Sequence, residues 1–115
     1  MKTTIYKGQD LSKDFKSYAR KSRNIMKNNF ELLGGTVTDF HIGFYYWSGF
    51  GIINGQYYYF SVFDVRHFSL KKILFRTAKH NKDFTGGMNQ YLTTDMPIAY
   101  QIQNIISKRV NFVTL

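Results

Sequence analysis

The stretch LSKDFKSYARKSRNIMKNNFELLGG, residues 11–35, decides how the rest of the chain is read. Its apolar residues, Leu11, Phe15, Tyr18, Ala19, Ile25, Met26, Phe30 and Leu33, mostly recur at the three- and four-residue spacing of one helix face. Ser22 falls in the middle of that face and weakens it. Asp10 or Ser12 can cap the start, and Gly34-Gly35 supplies the residues that end a helix. The spacing predicts an α-helix over 11–33, about 35 Å long. Lys13, Lys16, Arg20, Arg23 and Lys27 follow the same spacing on its other side, so one stripe can dock while the other offers charge.

After Gly35 the composition changes to β-branched and aromatic residues. Over Thr36–Tyr46, Phe40, Ile42, Phe44 and Tyr46 alternate with Asp39, His41, Gly43 and Tyr45. A second run, Gly49–Ile53, leads into Asn54-Gly55, a dipeptide suited to a type I′ hairpin. Gln56–Val65 follows, with Tyr57, Tyr59, Phe63 and Val65 on one face and Tyr58, Phe60 and Val62 on the other. A strand apolar on both faces belongs inside a sheet. Ile73-Leu74-Phe75 reads as another strand, with a short helix as the alternative, and Lys79–Gln90 as a long polar loop. Thr94 or Asp95 can cap a last helix with Pro97 in its first turn. Ile98, Ile102, Ile105 and Ile106 form the buried side of that helix, and Lys108 and Arg109 lie near its end. Val110–Leu115 is expected to add an edge strand. The prediction is one α+β domain over residues 1–115: a long N-terminal helix, an antiparallel sheet of three to five strands with an Asn-Gly hairpin, and a C-terminal helix packed on the sheet.

Charge is divided along the chain. Sixteen Lys and Arg oppose seven Asp and Glu, for a net +9, yet no Lys or Arg falls between Lys27 and Arg66. Cationic segments on either side of an aromatic middle point to a polyanionic partner. Cysteine is absent, which excludes disulfides, thiolate metal sites and Cys nucleophiles. No apolar run approaches the ~20 residues that span a bilayer, and Met1–Asp10 lacks the apolar core of a secretory leader. The reading is a soluble, cytoplasmic protein with no membrane partner and no cofactor.

The preferred function is non-enzymatic nucleic-acid binding. Lys16, Arg20, Arg23 and Lys27 are the expected phosphate contacts, joined by Arg76, Lys79 and Lys82 from a loop whose Gly86-Gly87 lets backbone N–H groups approach phosphate. Tyr45, Trp47 and Tyr58 are the expected stacking rings for a single strand. The alternative is a protein-interaction module, such as a small phage or mobile-element inhibitor, that fills an acidic groove on a partner. A two-fold dimer aligning two basic helices is compatible with either.

Ser48-Gly49-Phe50-Gly51-Ile52-Ile53 resembles the Gly-aromatic-Gly strand signature of RNA-recognition motifs and cold-shock domains. Asp64-Val65-Arg66-His67-Phe68-Ser69 is similar to a cold-shock strand end. The likeness departs from the pattern at Ser48 and Ile52, and a long N-terminal helix is foreign to a cold-shock barrel. It implies nucleic-acid binding and no family membership. Catalysis has little to stand on. His41, His67 and His80 lack metal-site spacing, and Lys79 and Lys82 would repel a divalent cation from a His80–Asp83 pair. Asp39 and Asp64 are the remaining carboxylates that neighbouring strands could bring together, fewer than two-metal chemistry needs.

Overall fold

The computed structural model describes residues 11–63, 65, 72–81, 83 and 87–114, with backbone only for 11–13 and 109–114. Asp10, Asp64, Arg66–Lys71, Lys82 and Gly86 therefore lie outside the described residues, as do the side chains of Ser12 and Lys13. The elements are α1 (Leu11–Leu32), β1 (Thr36–Ile42), β2 (Trp47–Ile53), β3 (Gln56–Val62), β4 (Lys72–Ala78), β5 (Gln90–Thr93) and α2 (Ile98–Thr114). The strands form one antiparallel sheet in sequence order, β1-β2-β3-β4-β5.

Helix α1 buries the seam that its spacing predicts: Phe15, Tyr18, Ala19, Met26 and Phe30 are all inaccessible. Its end is a Schellman turn. Gly34 N–H donates to Glu31 O at 3.0 Å, and Gly35 N–H reaches back to Phe30 O at 2.9 Å. That geometry needs a left-handed residue, and Gly34 supplies it with φ 77°.

The sheet meets the helix through alternate residues. Gly49 pairs with Phe60 and Gly51 with Tyr58, while Phe60 pairs with Phe75 on the next strand. Phe30 packs on Phe60 at 5.4 Å between ring centroids and on Phe75 at 6.5 Å. Gly51 leaves the space this requires, because a Cβ there would run into the Phe30 ring. Between β2 and β3 the chain turns through Asn54 (φ 51°) and Gly55 (φ 80°), with Ile53 paired to Gln56.

Ser22 is not a gap in the seam. It is buried beside Tyr18, whose hydroxyl also accepts a hydrogen bond from Trp47 Nε1 at 3.2 Å. Burial pushes the Tyr18 phenol above its ordinary value, and the hydrogen bonds from Trp47 and Ser22 only partly oppose this. The folded state therefore keeps a proton that the unfolded chain releases near pH ~10, so stability falls as pH rises through that region. Tyr18→Phe is expected to remove this part of the alkaline loss. The same substitution should cost about 1–2 kcal/mol at neutral pH, because Trp47 Nε1 loses its acceptor. Urea unfolding of both proteins at neutral and alkaline pH measures the two effects.

Two expectations at the C-terminal end are corrected. The segment from Val110 does not form an edge strand, because α2 continues to Thr114. No Gly or Pro interrupts it, and a helix already docked through Ile98 and Ile102 extends at little further cost. The cap of α2 also comes from elsewhere. Asn29 on α1 accepts from Ala99 N–H at 2.9 Å while its own amide donates to Ile25 O at 2.7 Å. Asn29→Ala should thus cost about 1 kcal/mol, seen as a lower thermal midpoint. Gln101 ties α2 to β5 by accepting from Thr93 N–H and donating to Thr93 O, both at 2.8 Å. Both helices consequently lie on the same face of the sheet, α2 against α1 and β5.

Two strand limits also differ from expectation. The run Thr36–Tyr46 stops being a strand at Ile42, where Gly43 N–H donates to Tyr46 O and Tyr45 adopts φ 59°. Phe63 and Val65 lie beyond the end of β3. Ile73-Leu74-Phe75 does fall in a strand, β4.

Candidate nucleic-acid interface

The repeat that buries one side of α1 fixes the other side in solvent. Lys16, Arg20, Arg23 and Lys27 are all exposed, as is Lys21 beside them. From Lys16 to Lys27 the stripe runs about 16 Å at the rise of an α-helix. No carboxylate occurs between Asp14 in the first turn and Glu31 in the last. The α2 sequence adds Lys108 and Arg109 and no acid. Together the two helices hold eight basic and two acidic residues, so +6 of the net +9 belongs to one layer.

Arg76, from the second predicted cationic segment, is not part of this surface. Phe75 faces the helices, so its neighbour Arg76 emerges on the opposite face of the sheet. There Arg76 is only 6% exposed, its guanidinium 4.4 Å above the Tyr59 ring and donating to Asp83 O at 3.4 Å. Arg76 is thus a corrected expectation: it holds the loop and offers no free charge for phosphate. Asp83 is buried as well, and its carboxylate accepts from Lys79 N–H at 2.9 Å. Asn81 reaches across to β1, where Thr38 Oγ1 donates to its side-chain oxygen at 2.6 Å. Asn81 and Asp83 are thus bonded down over the sheet on the side away from α1. Lys79 is exposed there, and Lys82 lies outside the described residues. Sequence alternation could have placed Arg76 opposite Phe75, but nothing in the sequence showed the loop returning to Thr38.

Two of the three predicted stacking rings are core residues. Trp47 is fully buried, stacked on Phe40 at 5.3 Å, and Tyr58 is buried and stacked on Phe75 at 5.0 Å. Their positions in β2 and β3 point them at the helices, where large rings fill the layer. Tyr45 is half-buried between Phe15 at 5.5 Å and Phe44 at 4.7 Å. Phe50, the aromatic of the Gly-Phe-Gly stretch, lies on the other face but is 3% exposed and packed on Tyr59 at 5.1 Å. It therefore offers no open platform. Among the rings that do reach solvent, Phe44 at 73% and Phe63 at 66% are the most exposed, with Tyr91 and Tyr100 elsewhere on the surface, and none of the four was anticipated. Gly43 was the available signal, since it sits where the β1 alternation breaks.

The histidine–carboxylate pair is not assembled. His80 Nδ1 is paired with Asn81 O at 2.6 Å, while the Asp83 carboxylate faces the Lys79 backbone. Among the described residues no three His, Cys, Asp or Glu side chains gather as a metal site, and no helix is long and apolar enough to cross a membrane. No family model matches the chain, and no curated protein or solved structure does either.

Proposed function

We propose that this protein binds nucleic acid without acting on it, through phosphate contacts made by Lys16, Arg20, Arg23 and Lys27 on α1. One observation carries the reading: an exposed row of four cations on a rigid helix, uninterrupted by any carboxylate and set in a helical layer of net positive charge. Seam burial on the opposite side and the Asn29 bridge to α2 hold that row in place, so little ordering remains to offset binding. Arg76 is left out of this footprint because it is buried on the other face of the sheet.

Phosphate neutralisation releases counterions, so affinity must fall with salt. Four contacts predict a slope of log K against log salt of roughly −3.6 on duplex and −2.8 on single strands. Binding to immobilised oligonucleotide across a salt series tests this. An acidic protein groove is the rival occupant of the same row, and a protein that ignores oligonucleotide in dilute buffer would favour it.

A further inference from the structure

Resting on that reading, we infer that the tip formed by Phe44, Tyr46 and Phe63 is a stacking site for unpaired bases, so the preferred target contains single-stranded nucleic acid. The tip is built from the β1–β2 turn and the end of β3. Tyr46 lies 6.0 Å from Phe63 and 5.7 Å from His41, and Val65 N–H donates to Tyr45 O at 2.8 Å, joining the two segments. Phe44 and Phe63 nevertheless keep most of their surface in water. A small domain gains by burying such rings, and two on one tip mark a contact surface.

The backbone supports the same conclusion. Tyr45 holds φ 59°, a left-handed conformation that is rare and costly for a bulky side chain. This turn directs Tyr45 inward onto Phe15 and leaves Phe44 edge-on against its outer side. Tyr45 is therefore a positioning residue for Phe44 and not itself a stacking platform.

Location selects the occupant. Tyr45 packs on Phe15 near the start of α1, so the tip lies toward the end of the helix at which the cationic row begins. A strand whose phosphates follow that row would bring its bases to the rings at one end. An apolar anchor from a protein would need a concave pocket. The cavities of about 210 Å³ between α1, α2 and β4 and about 400 Å³ beside the β2–β3 turn are lined by other residues. Flat, exposed rings toward one end of a cationic row suit a base, which presents a π-face whatever its identity.

The test compares the parent with Phe44→Ala/Phe63→Ala, using a 2-aminopurine-labelled single strand and a blunt duplex of the same sequence at one salt concentration. Removing each ring should weaken single-strand binding between roughly 5- and 150-fold and abolish quenching of the label. Duplex affinity should change less than about twofold, because the phosphate contacts remain. Phe44→Trp should retain the single-strand affinity, and unchanged thermal midpoints would exclude a folding effect. Unaltered single-strand binding, or equal losses on both probes, overturns the stacking site while leaving the cationic row in force. A parent that holds neither probe in dilute buffer overturns the row and the stacking site together.

Discussion

Replacing Arg20 and Lys27 by Glu is expected to weaken oligonucleotide binding on the order of 100-fold near 0.1 M salt. Each reversal removes one phosphate contact and sets a carboxylate beside the same phosphate, so the effect exceeds that of truncation. The two residues are exposed and lie on the side of α1 away from the core, so the fold should survive. Circular dichroism and the urea midpoint check that it does. The slope of affinity with salt should shrink by about two, one for each cation lost. Alanine at Arg76 provides the contrast. Its buried guanidinium secures Asp83 and covers Tyr59, so its loss should lower stability more than it lowers affinity.

Phe30→Ala should cost about 3–5 kcal/mol, a large fraction of what a domain of this size possesses. Phe30 is fully buried at the crossing of α1 with the sheet, touching Phe60 and Phe75 and occupying the space left by Gly51. Little else can collapse into the void, since those partners are fixed by strand pairing. Urea unfolding measures the loss. Gly51→Ala should be destabilising on its own by about 1–3 kcal/mol, through collision with the same ring. Combined with Phe30→Ala, its penalty should largely vanish. A double-mutant cycle showing simple additivity would mean that the two positions do not share this space.

How much of this was legible in the sequence depends on the range of the interaction. The α1 seam and its cationic row could be read directly, because a 22-residue helix repeats its pattern several times. Gly34-Gly35 marked its end for a local reason, the left-handed turn. The long strands were visible as aromatic alternation, whereas β5 has only four residues and no discernible period. The turn at Gly43–Tyr46 hid inside an apolar run, since Phe44 and Tyr45 look like strand residues until the backbone reverses. Trp47 and Tyr58 were misread for a different reason. Alternation identifies two faces but not which one the helices cover, and that choice decides whether a ring is core or surface. Arg76 failed on tertiary contacts, its packing over Tyr59 and its bonds to the Asp83 carbonyl. The Asn29 cap on α2 is equally non-local, joining residues 70 apart.

A salt titration of oligonucleotide binding by the intact protein asks most directly whether the outward row of α1 is a phosphate-binding surface. The expected result is a linear fall of log K with log salt, with a slope of about −3.6 on duplex or −2.8 on single strands that halves in Arg20→Glu/Lys27→Glu. Affinity that is insensitive to salt, or the same slope in the parent and the charge-reversed protein, would contradict it.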